Sequence, residues 1–373
     1  MRTRIEVSAR ARTSLEVLRS GRQGRGTLAA FLLASVLLTG CDIRRGPAVE
    51  STRQLRVVAV QRLVEHPAVA PVAWAPDSRA FAHSGDHRVW VYSLDRGDQG
   101  IAPAEMGTAL SWSAALNLLA LIDRGVVSTL RPDGSDRRVI DLPGVAVALA
   151  WAPGGDRMGV VLRRTENGQP RFELWIANHD GGFKRLVTRA PAGRVIREVQ
   201  WFADNLYLLY GLSDPAERVI REAHRVRISY PDQSEIPLPV RTVALRLAPT
   251  GRHVAVVTAD RQAVGMGEVI VSRLDGSGRL VLAADPGRFT GLAWSPQGDK
   301  LVYARVTEES RAELWLADAD RSDRLQLYSY AMEYTDPGID LAMTWAPDGR
   351  HVAFGTNTGM FVGPIWLATL QRR

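Results

Sequence analysis

Cys41 is the only thiol in the chain, and it stands at the end of the apolar run "TLAAFLLASVLL" at 27–38, directly after Leu38, Thr39 and Gly40. A run of this length is too short to span a bilayer and matches the core of a secretion signal. A thiol at the exit of such a run points to covalent modification rather than to a buried structural cysteine. One cysteine also excludes an intrachain disulfide. The other reactive residue types show no converging pattern. There is no G-x-S-x-G elbow, no H-E-x-x-H and no C-x-x-C, so nucleophilic and zinc chemistry have no signature here. The seven histidines are scattered, and His253 and His351 flank equivalent turns. Asp77 and Asp348 sit in turn sequences that explain them as turn caps rather than as ligands of an ion. No catalytic residue, metal site or cofactor is expected, and the chain is expected not to be an enzyme.

What positions these residues is a repeat. The phrase in "LAWSPQGDKLVY" from Leu292 returns in "MTWAPDGRHVAF" from Met343 and in five further copies, anchored at Trp74, Trp112, Trp151, Trp201, Leu247, Trp294 and Trp345. The spacing runs through 38, 39, 50, 46, 47 and 51 residues, so loops absorb the differences. In each copy a short apolar strand ends in the anchor, and a Pro-Asp-Gly type turn reverses the chain. Proline presets φ, aspartate bonds the backbone ahead of it, and glycine accepts positive φ. An apolar strand returns, and a third strand often carries tryptophan, as in "RVWVYSL", "FELWIAN", "AELWLAD" and "PIWLATL". A fourth follows in most copies. Four antiparallel strands per unit is the signature of a propeller blade. The last copy lacks a fourth strand, while 55–65 is a strand without a blade. The expectation is therefore an all-β chain forming a seven-bladed β-propeller of four-stranded antiparallel blades, its ring closed by the N-terminal strand.

The Trp-Ser/Ala-Pro-Asp-Gly hairpin with an aromatic third strand resembles the repeat of TolB-type propellers, the Pro-Asp relatives of WD-repeat proteins. The resemblance covers roughly residues 55 to 370. It is full in the units of Trp74, Trp151, Trp294 and Trp345. It is degenerate in "WSAALN", in "WFADN" and where Leu247 replaces tryptophan. It implies the fold far more than a function. TolB carries an α/β domain before its propeller, which the short stretch between Cys41 and the first strand does not match.

Leu38-Thr39-Gly40-Cys41 resembles the bacterial lipobox. That resemblance implies cleavage between Gly40 and Cys41, a diacylglyceryl group on Cys41 and loss of residues 1–40. Residues 41–54 then form a flexible tether, and 55–373 a single propeller domain, taken as monomeric. Asp42 resembles an inner-membrane retention signal, without settling inner against outer membrane. Residues 1–26 hold seven arginines and two glutamates, so the formal charge falls from +7 to +2 once the leader is removed. The basic excess is therefore no sign of nucleic-acid binding.

In an up-and-down blade the first and third turns share one face of the ring, and the connectors of variable length share the other. Recognition sits on such loops. The candidate partner-binding residues are Arg164 and Glu166 in 163–171, Arg218 in 213–223, and Tyr328, Tyr330, Met332 and Tyr334 in 328–340, a stretch expected to be a connector. The resulting expectation is a lipid-anchored envelope protein on the periplasmic or extracellular side, its propeller scaffolding another protein. Two alternatives remain: a ligand, glycan or reaction site in the central funnel, and an accessory resembling the propeller portion of actinobacterial LpqB-type lipoproteins, which act beside a sensor kinase. Cys41→Ala should move the protein from the detergent-rich to the aqueous phase in detergent partitioning; retention of the variant in the detergent phase would defeat the lipid anchor.

Overall fold

The computed structural model describes residues 51–104, 109–217, 219–229, 232–259, 267–331, 341–356 and 363–373. Gly40, Cys41, Arg218, Met332 and Tyr334 lie outside them. The described residues from Ser51 onward belong to one compact unit, Val49–Arg373.

The second strand of each repeat shows why these residues assemble as they do. Leu119–Ile122, Met158–Leu162, Val254–Val257 and Lys300–Ala304 are buried residue after residue. Continuous burial, in place of alternation, means that both faces of the sheet are covered. The neighbouring sheets cover them. Among the described residues, seven apolar clusters occur, and each spans two adjacent blades. The cluster of Leu174, Ile196 and Tyr210 joins blades three and four, for example, and that of Val302, Leu314 and Phe354 joins six and seven. The core is therefore a circle of interfaces.

The strands group into seven antiparallel sheets of four. The innermost are residues 68–74 of Leu55–Trp74, then Ala109–Trp112, Val145–Trp151, Val195–Trp201, Thr242–Leu247, Arg288–Trp294 and Leu341–Trp345. Each lies against the next, and the last lies against the first. The degenerate units are full blades: Ala109–Trp112 begins a sheet ending at Arg138–Ile140, and Val195–Trp201 one ending at Gln233–Ile236. Leu55–Trp74 serves two blades. Its first half pairs with Gly363–Arg372, from Leu55 opposite Arg372 to Val64 opposite Ile365, and supplies the fourth strand of blade seven. Its second half opens blade one, with Trp74 opposite Phe81.

In blades three, four and six the tryptophan at the end of the innermost strand ties its blade to the one before. The indole Nε1 of Trp151 donates to Ser111 O (3.2 Å), that of Trp201 to Ala150 O (3.0 Å) and that of Trp294 to Arg246 O (3.0 Å). In each case the acceptor is the residue just before the previous blade's anchor. Leu247 has no indole to offer, and Gln200 of blade four makes the link instead. Its Nε2 donates to Leu245 O and its Oε1 accepts from Leu247 N–H, both at 2.8 Å.

The Pro-Asp-Gly turns also lean on one another. Gly154 N–H donates to Asn205 Oδ1, and Asp348 N–H donates to Ser78 Oγ. Gly155 has φ +74°, and a Cβ there would come within 2.5 Å of the Ala115 Cβ. Both the backbone conformation and the packing require glycine. Asp77 and Asp348 accept from Arg79 N–H and Arg350 N–H, as turn caps do.

One boundary needs correction. Residues 51–54 are not tether: Thr52–Gln54 form a 3-10 turn docked on the hairpin between the third and fourth strands of blade six. Thr52 N–H donates to Asp318 Oδ1 at 3.0 Å, and the Thr52 hydroxyl also bonds Asp318. Arg53 Nε meets Asp323 Oδ1 at 2.7 Å. The ordered unit is therefore longer at its start than the strand pattern indicated, because a carboxylate of a distant blade holds the turn.

Gln200→Ala should destabilise the ring by about 1–3 kcal/mol, since it strands a carbonyl and an amide between two blades. Urea titration with an unchanged slope checks this; an unchanged midpoint would show that the two groups find other partners.

Candidate functional site

The hairpin between the second and third strands of blade three stands on the face opposite the Pro-Asp-Gly turns. Arg157–Glu166 and Gln169–Asn178 pair throughout, and residues 163–170 are all exposed. Beside it runs the connector from blade two. Pro143, Gly144, Val145, Arg163, Arg164 and Pro170 enclose most of an open cavity of about 480 Å³. Gly144 permits the close approach: a Cβ there would meet Arg164 Cγ at 2.8 Å and Arg163 O at 3.0 Å. Val145 lines the cavity beside the two arginines and is itself exposed (43 %). The blade-two turn packs against it through Gly125, and Val126 of that turn is exposed as well (46 %).

Beneath the hairpin lies Glu173, only 4 % exposed. Burial pushes its carboxyl up, but hydrogen bonds from Arg189 and the Trp175 indole and the charge of Arg164 outweigh burial and hold it below the usual range. Arg189 Nε and Trp175 Nε1 each lie 2.9 Å from it, and Arg164 Nη1 lies at 3.6 Å. Blade six repeats the device. Glu313 accepts from Trp315 Nε1 at 2.9 Å and from Arg305 Nη2 at 2.6 Å.

The sequence candidates do not form one site. Arg164 and Glu166 share the blade-three hairpin, where Arg164 faces Glu173 and Glu166 pairs with Arg171 at 3.1 Å. Tyr328 and Tyr330 sit elsewhere, and the expectation that 328–340 begins a connector is corrected. Both tyrosines belong to Arg324–Ala331, the outermost strand of blade six. Two residues apart, they point the same way, toward blade seven. The Tyr328 ring lies 5.5 Å from that of Trp366 and 6.0 Å from that of Phe354. Burial, and then the neighbouring Tyr328, push the Tyr330 phenol up to about 12. These rings cover the interface between blades. Polar side chains on the innermost strands are also engaged: Arg246 pairs with Glu198 at 3.0 Å, and Gln200 bridges blades four and five.

Glu173, Glu313 and the docking aspartates escaped the sequence reading. A signal for the first two existed in the twice-written "ELW". Among the described residues, no group of three or more histidine, cysteine, aspartate or glutamate side chains stands ready for a metal ion, and no helix is long and apolar enough to cross a membrane.

Seven four-stranded sheets packed face to face in a circle make this chain a β-propeller. Solved structures agree. The chain is similar to an oligogalacturonate lyase from Vibrio parahaemolyticus (TM-score 0.65, 10 % identity, covering 84 % of this chain and 96 % of that one). It is also similar to the Cps50 (Swd1) β-propeller domain of Myceliophteria thermophila (TM-score 0.58, 14 % identity, 85 % and 100 %). A putative TolB from Agrobacterium tumefaciens matches as well (TM-score 0.49, 16 % identity, 75 % and 95 %). No protein-family profile and no curated protein sequence matches the chain. At these identities the likeness concerns fold alone. It nevertheless corrects the expectation that the chain is not an enzyme. Oligogalacturonate lyases are enzymes on this fold, so missing sequence motifs are no ground for excluding catalysis.

Glu173→Gln should lower stability at neutral pH. The folded-state pKa of Glu173 is depressed, so its contribution is present above the ordinary carboxylate pKa of about 4.3 and is lost as pH falls through the depressed value. Wild type and variant should therefore converge in melting temperature toward acid pH; a gap that stays constant with pH would show that the carboxylate charge is not what matters.

Proposed function

We propose that this protein is a bacterial envelope lipoprotein, fixed to the membrane through lipid on Cys41, whose propeller holds a protein partner through the raised hairpin of blade three. The lipid anchor is supported by the apolar run at 27–38 and the Leu38-Thr39-Gly40-Cys41 stretch at its end. The partner reading is carried by one observation: the exposed hairpin 163–170 and its cavity, lined by Arg163, Arg164 and the exposed Val145 with Val126 on the adjacent turn, bring apolar and basic side chains together. Isolated apolar side chains on a surface need no explanation, but a group beside a cavity marks an interaction site. Arginine at the edge of an apolar patch suits a partner segment that is itself apolar with acidic flanks.

Glu173 and its partners make the hairpin a rigid support, which limits the entropy lost on binding. Arg163 is the better probe of the surface than Arg164, which has the structural task of facing Glu173.

Crosslinking in native membranes, followed by purification of the lipoprotein, should give a discrete protein partner. Arg163→Glu combined with Val145→Ser should lose that partner without a change in melting temperature. A partner retained by this variant would remove the blade-three surface from the reading. Absence of any partner, with saturable binding of a small anionic ligand in the cavity, would replace it.

A further inference from the structure

The docking of residues 51–54 determines how the ring faces the membrane. We infer that the face built from the Pro-Asp-Gly turns lies against the lipid surface, leaving the blade-three hairpin and the other long connectors pointing away from it. The inference rests on the lipid anchor proposed above.

Three observations carry it. The first is the point from which the tether leaves. Leu55 pairs with Arg372, and Arg373 N–H donates to Gln54 O at 2.7 Å, so the fourth strand of blade seven begins on the turn face and at the rim. The second is how firmly that point is fixed. Asp318 is 3 % exposed and takes up Thr52 N–H, the Thr52 hydroxyl and Ser322 Oγ, with Lys300 Nζ at 3.9 Å. Asp323 takes up Ser51 Oγ at 3.0 Å and Arg53 Nε at 2.7 Å. Lys300 is itself 4 % exposed and bonds Asp299. Arg157, which holds the same place in blade three, remains partly exposed beside Asp156. A buried ion pair of this kind is destabilised strongly when one member is removed, so the turn is held in place rather than merely resting there.

Chain length then limits the geometry. Cys41 and Ser51 are ten residues apart, so even a fully extended chain spans at most about 36 Å. Residues 55–64 make eight pairs with 365–372, because bulges take up Val58 and Leu63, so the rim strand rises roughly 26 Å. Presenting the opposite face to the bilayer would consume most of the reach in climbing the rim. Presenting the turn face requires no stretching at all.

The third observation is the distribution of exposed apolar side chains. Among the described residues, the large exposed apolar side chains other than valine are Leu116, Phe183 and Leu206. All three stand on the turn face, in blades two, three and four. In a seven-membered ring these blades lie across from the junction of blades six and seven, where the tether leaves. Leucine and phenylalanine partition into the boundary between headgroups and acyl chains. A lipid on one side of the face and apolar side chains on the other hold the disc flat.

The test uses the full lipidated protein in vesicles of phosphatidylethanolamine and phosphatidylglycerol. Cys41 is consumed by its lipid, so one added cysteine carries an environment-sensitive fluorophore: Leu116→Cys or Leu206→Cys on the turn face, Gln169→Cys on the hairpin. Spin-labelled lipid should quench the fluorophore at 116 and 206 and leave 169 unchanged. Quenching at 169, or at none of the three positions in vesicle-bound protein, would overturn the inference. The double variant Thr52→Ala with Arg53→Ala should float with vesicles as the wild type does but lose the contrast between positions. Flotation separates the two readings. Wild type that does not float, or Cys41→Ala that still does, defeats the lipid anchor whatever the labels report.

Discussion

No blade of this protein can stand alone. A four-stranded sheet with a second strand such as Val254–Val257 has apolar side chains on both faces, and water would reach both in an isolated blade. Each sheet is stable only between two others, and a row of such sheets has two unsatisfied ends. Closing the row into a circle is the solution that leaves none. The tryptophan links, the leaning turns and the shared strand Leu55–Trp74 all serve that single requirement.

The requirement also explains where the chain is free to vary. The turn face carries the contacts between consecutive blades, and a change in one turn is felt by the next. On the opposite face a hairpin points outward from the ring, so it can lengthen without disturbing the packing between sheets. Blade three uses this freedom in its ten-residue strands, and buried Glu173 stiffens what would otherwise be a loose extension. Catalysis and recognition alike are compatible with that arrangement, as the lyases sharing this architecture illustrate.

Much of the architecture was legible in the sequence, because strand order and turn chemistry are local properties. Trp151, Trp201 and Trp294 announced both the innermost strands and their spacing, and the missing fourth strand after Gly363–Arg372 pointed to the strand that replaces it. What escaped depended on contacts between residues far apart in the chain. The docking of Thr52 on Asp318 joins positions separated by 266 residues, and neither residue type is unusual where it stands. Tyr328 and Tyr330 read as loop aromatics because a strand running into a connector keeps no composition boundary; only the neighbouring blade shows that their rings face inward. Gln200 is a polar residue in a largely apolar strand. Its reason is the absence of an indole at Leu247, one blade further on.

The shared strand has a consequence for the order in which the protein comes into being. Six blades consist of segments contiguous in the chain, so each can form from hairpins as soon as its own residues are available. The seventh joins residues 55–64 to residues 363–372, and it forms only after everything between them has been made. The entropic cost of so long a closure rises only logarithmically with length, so the delay is one of time more than of stability. Until then the first strand remains an open edge, able to pair with a strand of another chain. A molecule clipped anywhere in its last ten residues would return to that condition, and would fail by association rather than by settling into a smaller ring.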